Sequence, residues 1–198
     1  PAELRVAEAT ALMWLTPAAY LRDVLIEALA QLEARTAWPD RDLALAWLSE
    51  YIKGRADWVA DAPGQVASPV VVVDNRVAGH GFTASGLRLF AALHDDGHHA
   101  RLLPTGIDDT QREQLVRRWR ATAWIRLGPQ EKPHPTASRA GARLFCCDLA
   151  SLEPRDGDEA ADFMHRWRHV IEHEIRSCRD QVAAAVGPAI TSRPSTHH

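Results

Sequence analysis

Val70-Val71-Val72-Val73-Asp74-Asn75-Arg76-Val77-Ala78-Gly79-His80-Gly81-Phe82-Thr83-Ala84-Ser85-Gly86 is the stretch on which the fold of this chain turns. Four consecutive valines lack the polar alternation of a half-solvated strand. Such a run fits a parallel strand covered on both faces. It stops at an acid, and Gly79, Gly81 and Gly86 punctuate the loop beyond. Leu87, Phe90, Ala91 and Leu93 then recur at helical spacing as far as Gly97. A strand that feeds a glycine-rich loop and then a helix is the opening unit of an α/β layer.

Downstream the same alternation continues. Ala100–Leu103 reads as a second strand, and Asp108 or Thr110 suits the cap of the next helix. Glu113 stands at capping-box distance from Thr110. Leu115, Val116 and Trp119 form that helix's apolar stripe, and Ala123–Leu127 and Ala142–Cys146 read as third and fourth strands. This order implies parallel pairing through right-handed crossovers. A long closing helix is expected from Asp158 to about Val186, with Phe163, Trp167, Val170, Ile171, Ile175, Cys178 and Val182 on one stripe. Upstream, Thr16-Pro17 is a helix-start signal. Leu21, Leu25, Leu29 and Leu32 follow on one face, filled out by Val24 and Ala28. A second helix is expected after Trp38-Pro39-Asp40, with Leu43, Trp47 and Tyr51 as its stripe and Gly54 as its stop. Ala62–Ser68 reads as a linker. The expected fold class is α/β, an open, mostly parallel Rossmann-like or flavodoxin-like sheet over residues 69–186. A helical segment, residues 1–62, precedes it, and a flexible tail, residues 187–198, follows.

Bulk properties narrow the setting. The chain has 198 residues, 46% hydrophobic and 25% charged, an ordinary globular composition. Its net charge of −3 exerts no general pull on nucleic acid. No apolar run reaches the roughly 18 residues that a membrane span needs, and the amino terminus lacks a signal-peptide pattern. Cys146 and Cys147 are adjacent, and a bridge between neighbours is strained, so with Cys178 they point to a reduced, cytoplasmic setting. The seven tryptophans are expected in core packing.

Ligands of open α/β sheets gather at the carboxyl ends of the strands. The first loop is therefore the leading candidate, with Asp74, Gly79, His80, Gly81, Thr83, Ser85 and Gly86 as its binding residues. Its glycines allow close backbone approach, and the helix start offers N–H groups to an anion. Other groupings point to simpler roles. His165, His169 and His173 recur every four residues on the side of the last helix opposite its apolar stripe, which is expected to face solvent. His94, His98 and His99 are expected at the surface. Arg112, Arg117, Arg118, Arg120 and Arg126 gather around Trp119 and Trp124 as a solvated basic face. Cys146 and Cys147 are expected to pack as small apolar side chains. No nucleophile elbow, phosphate-binding Walker loop or zinc-protease motif occurs, and no catalytic or metal-ligating residue is assigned.

The loop, its helix, Gly97, the second strand and Pro104-Thr105-Gly106-Ile107-Asp108-Asp109 together resemble a cobalamin-binding domain, over roughly Pro69–Gly128. His80 and Gly86 stand for that family's histidine and glycine. The resemblance implies a regulatory or sensor module that is not itself catalytic and holds a tetrapyrrole-type cofactor such as cobalamin or haem. A second resemblance ranks below it. Val70–Val73 with Asp74-Asn75 and Thr83 is similar to the diphosphate-sugar loop of phosphoribosyltransferases, which implies a nucleotide- or phosphate-binding enzyme. A third reading is a protein-interaction domain that uses the tryptophan-rich helices and takes no small ligand.

Overall fold

The computed structural model describes residues 18–35, 37–55, 70–75, 83–103, 106–128, 140–147 and 159–186. Among the described residues two helices come first, α1 (Ala18–Glu33) and α2 (Arg41–Arg55). They are followed by β1 (Val70–Asn75), α3 (Ala84–Asp95), β2 (His99–Leu102), α4 (Asp109–Arg118), β3 (Ala121–Leu127), β4 (Arg143–Cys147) and α5 (Ala160–Val186). The four strands form one sheet in the order β2-β1-β3-β4, and every neighbouring pair is parallel. The open parallel α/β fold expected from the sequence is the fold of this chain. The Thr16-Pro17 start signal, the 62–68 linker and the 187–198 tail lie outside the described residues.

Local signals place these elements. Thr83 is the N-cap of α3, its Oγ1 accepting from the Gly86 N–H at 3.1 Å. The helix ends at Asp95, and Gly97 turns the chain at φ +80°, a left-handed conformation that suits glycine. Of the two caps considered for α4, Asp108 is the one used. Its box partner is Gln111, with Asp108 Oδ1 accepting from the Gln111 N–H at 2.7 Å and Gln111 Oε1 accepting in return at 3.0 Å.

The valine run behaves as its composition demands. Val71, Val72 and Val73 have no solvent exposure. Alternation sends Val71 and Val73 to one face and Val72 to the other. On the first face, Ala123, Ile125, Leu127 and Cys147 join them beneath α3 and α5. That core takes in Leu87, Phe90, Leu93, Phe163, Trp167, Ile171, Ile175, Cys178 and Val182. The second face carries a smaller core, with Val72 and Trp124 against Val116 of α4.

Helix α1 packs on α3 and α5 rather than on the sheet, and it adds Ile26, Leu29 and Ala30 to the larger core. Ion pairs span that junction. Arg22 grips Asp95 through two hydrogen bonds of 2.8 and 2.7 Å, which holds the Asp95 carboxyl below its ordinary range. Arg88 reaches Asp23 at 3.2 Å and Glu172 at 2.9 Å, while Arg168 pairs with Glu27 at 3.0 Å. Between these pairs lies a cavity of about 280 Å³ over Ile26, Trp167 and Ile171. Asp23, Glu27, Arg88, Arg168 and Glu172 complete its lining, so charged groups border an apolar floor.

Several expectations are corrected. Val24 is 45% exposed, because Ile26, Leu29 and Ala30 set the inward phase of α1. On α2 the inward residues are Leu45 and Leu48, which leaves Leu43 at 74% and Trp47 at 67% exposure. Trp38 is likewise exposed, so not every tryptophan is a core residue. Gly54 lies within α2 rather than ending it. His98 is buried and both ring nitrogens of His99 are enclosed, because β2 starts directly after the Gly97 turn and draws them inward. Only His94 of that trio is exposed.

Among the described residues, neither His99 ring nitrogen has a hydrogen-bond partner. A buried polar group left unsatisfied costs about 1–3 kcal/mol, so His99→Leu is expected to raise stability by about 1 kcal/mol in urea unfolding. An equal or lower midpoint at unchanged slope would show that the imidazole is satisfied in solution.

Candidate functional site

Strand order sets where the sheet opens. The chain leaves β1 for β2 on one side and later returns to place β3 on the other. The carboxyl ends of β1 and β3 are therefore a topological switch point, the place where open α/β sheets bind their ligands. The β1–α3 loop starts there.

Asp74 stands at this end of β1, directly across from Arg126 of β3. It has no solvent exposure. A charge so placed needs partners, since desolvation would otherwise cost several kcal/mol. Arg112 of α4 donates to Asp74 Oδ1, and the Trp124 indole N–H donates to Oδ2 at 3.1 Å. Arg126 Nε lies 4.0 Å from Oδ2, with its guanidinium 5.0 Å from the Trp124 ring centroid, a cation–π position. Arg112 is also 4.0 Å from Asp109. Arg112 and Arg126 are 6% and 7% exposed, so two members of the basic cluster are buried bracing groups, contrary to the solvated face expected. Arg117 and Arg118 do face solvent.

Across the sheet, the first turn of α3 is committed to other elements. Ser85 Oγ accepts from the Trp167 indole N–H of α5 at 3.0 Å, and Thr83 Oγ1 is taken by the Gly86 N–H. The Ala84 N–H donates to Glu33 Oε1 at 3.1 Å, across 51 residues of sequence. Burial pushes the Glu33 carboxyl up to about 8, outweighing the opposing effects of the Ala84 hydrogen bond and the Arg41 charge. The carboxyl sits deep in the junction although the residue as a whole keeps part of its surface open.

Asp74 therefore faces α4, whereas Thr83, Ser85 and Gly86 lie buried on the α3–α5 side. The sheet separates groups that the linear sequence presents as one cluster. Gly79, His80 and Gly81 lie outside the described residues. His165, His169 and His173 are exposed as expected, with His173 Nδ1 3.3 Å from Glu174. Among the described residues, no group of three or more His, Cys, Asp or Glu is placed to hold a metal ion. Likewise, no described helix is long and apolar enough to cross a membrane.

Sequence reasoning missed the bracing role of Arg112, Trp124 and Arg126. A usable signal was present: an acid ending a fully apolar strand demands a cation or donors from its neighbours. Nothing in the sequence marked Glu33, whose carboxyl accepts from a backbone N–H 51 residues away.

No family model matches the chain, and neither a curated protein nor a solved structure is significantly similar to it.

Proposed function

We propose that this chain is a ligand-binding regulatory module without catalysis of its own, whose ligand seats at the carboxyl end of the sheet beside the β1–α3 loop. The supporting observation is the strand order β2-β1-β3-β4, which makes the end of β1 a switch point with a rigid floor. The Asp74–Arg112–Trp124 brace fixes that floor from beneath. The tetrapyrrole class of ligand rests on the resemblance of residues 69–128 to cobalamin-binding domains, with His80 as the loop's imidazole. The setting proposed for it is the cytoplasm, on the strength of the cysteine pattern.

The phosphoribosyl-transfer reading is less well supported. It needs an acid that offers its oxygens to ribose hydroxyls. Asp74 is fully buried, with both oxygens engaged by Arg112 and Trp124.

Titration with cobalamin and, separately, with haem is the test. Binding should shift the visible absorbance of the ligand, and His80→Ala should weaken or abolish the shift. No spectral change and no heat in calorimetry with either ligand would remove this reading. Magnesium-dependent binding of a diphosphate sugar, lost in Asp74→Asn despite retained folding, would favour the enzyme instead.

A protein-interaction role has its own support. Leu43 and Trp47 lie one turn apart on α2, and Trp47 stacks on Tyr51 with ring centroids 5.5 Å apart. In that reading Leu43→Ser/Trp47→Ser abolishes partner capture while changing folding stability by no more than about 0.5 kcal/mol, as suits exposed positions.

A further inference from the structure

Three helices supply the walls of the 280 Å³ cavity at the α1–α3–α5 junction. Asp23, Ile26 and Glu27 come from one face of α1, at the three- and four-residue spacing that aligns side chains. Trp167, Arg168, Ile171 and Glu172 come from α5, and Arg88 of α3 stands between the two helices. The floor is apolar and fixed. Ile26, Trp167 and Ile171 belong to the larger core, and the Trp167 indole is anchored by its bond to Ser85 Oγ.

The rim is charged, and its balance is uneven. Both guanidiniums are spent: Arg88 bridges Asp23 Oδ1 and Glu172 Oε1, and Arg168 takes both oxygens of Glu27 at 3.2 and 3.0 Å. Three carboxylates against two guanidiniums leave one negative charge in excess. Arg22 also donates to Asp23 Oδ1 at 3.2 Å, but its charge is matched by Asp95, to which it makes two shorter bonds. A carboxylate has about four acceptor sites. Among the described residues, Asp23 is bonded through Oδ1 alone and Glu172 through Oε1 alone. Acceptor capacity therefore remains where the donors are exhausted.

We propose that this cavity binds a small primary amine, its ammonium against the Asp23 and Glu172 carboxylates and its apolar body over Ile26, Trp167 and Ile171. Both acids flank the Arg88 guanidinium, so an added cation is attracted by both. An anion meets the excess charge and finds no uncommitted guanidinium. A neutral apolar molecule covers the floor but leaves that charge in place, and a zwitterion brings a carboxylate for which the rim has no spare donor. The volume lies just below the range of about 300–1,000 Å³ typical of ligand sites. At roughly 30 Å³ per water-sized volume, it suits an occupant of about nine non-hydrogen atoms. Asp23 and Glu172 keep 45% and 57% of their side chains in solvent, so the attraction is screened by salt. A Kd on the order of 0.1–1 mM is expected for so small a ligand. Its occupant touches α1, α3 and α5 together and ties the first to the other two. The cavity is separate from the β1–α3 loop and acts whether or not that loop holds a tetrapyrrole.

Titration of the full chain with phenethylamine at low salt, followed through the methyl resonances of Ile26 and Ile171, is the test. Both signals should shift saturably, with a Kd below about 1 mM. Phenethyl alcohol, phenylpropionate and phenylalanine should each bind at least about threefold more weakly, the scale of an exposed ion pair. Asp23→Asn and Glu172→Gln should each weaken amine binding by about the same factor and leave that of the alcohol unchanged. The wild-type ligand series decides the matter should either variant not fold. No saturable shift up to about 10 mM amine, far above the expected Kd, would overturn the site. Equal or tighter binding of any comparator, shifts confined to residues beside the β1–α3 loop, or unaltered amine affinity in both variants would do so equally.

Discussion

Asp74→Ala is expected to destabilise the chain by about 3–5 kcal/mol, the cost of breaking a buried ion pair by removing one partner. The effect is large because the loss is one-sided. Arg112 and Arg126 would stay buried beside the end of β1 without the carboxylate that faces both, and the Trp124 N–H would lose its acceptor. Against a typical domain stability of about 5–15 kcal/mol, such a loss brings a chain close to unfolding. Asp74→Asn should cost less, since the amide oxygen still accepts one hydrogen bond. Removing Arg112 together with Asp74 should recover part of the single-mutant loss, because the two act as one unit. Urea unfolding of the four proteins measures this directly. If Asp74→Ala unfolds within about 0.5 kcal/mol of wild type, the brace has no energetic weight.

The second large effect is a pH dependence with an unusual sign for a carboxyl. Most paired acids in folded proteins lie below their unfolded range and lose stability in acid. Glu33 is raised from 4.5 to about 8 in the folded chain, so the folded state holds this proton more tightly. Its contribution is fully present below pH 4.5 and is lost as pH rises through about 8. The limiting slope is about 1.4 kcal/mol per pH unit, and partial solvent access to the junction reduces the total to the order of 2–4 kcal/mol. Glu33→Gln should remove this decline and exceed the wild type in stability at pH 9. Asp95 works in the opposite sense: held low chiefly by its hydrogen bonds to Arg22, it contributes stability that is lost only as pH falls through its depressed pKa. Unfolding curves of wild type and Glu33→Gln from pH 5 to 9 separate the two groups. Parallel curves across that range would eliminate the Glu33 contribution.

The strand-loop-helix unit was legible because each of its signals is local. Four valines in a row, the glycines of the loop beyond them and the Gly97 turn act through the backbone within a few residues. The phase of the amino-terminal helices was legible only in part. Leucine spacing on α1 drew in Val24 and passed over Ile26, which is the buried one, and on α2 the spacing favoured Leu43 and Trp47 over Leu45 and Leu48. Periodicity shows that a helix has an apolar face. Which of two overlapping faces is buried depends on what it packs against, and that information lies elsewhere in the chain.

The candidate site shows the same division more sharply. Asp74, Thr83, Ser85 and Gly86 are near neighbours in sequence, but the pleat of β1 sends Asp74 towards α4 while Ser85 turns to Trp167 of α5. The partners that decide their roles are distant: Arg112 lies 38 residues from Asp74, Trp124 lies 50 from it, and Trp167 lies 82 from Ser85.

By itself, then, the sequence determined the α/β class, the parallel character of β1, the neighbourhood in which α4 starts and the position of the loop at a strand's carboxyl end. Each follows from backbone preference or short-range periodicity. Tertiary structure alone decided the strand order, the burial of Asp74 between two arginines and the docking of Glu33 on α3. The reason is physical. A side chain's protonation, exposure and bonding follow from the dielectric and the donors that surround it, and folding draws those from remote parts of the chain.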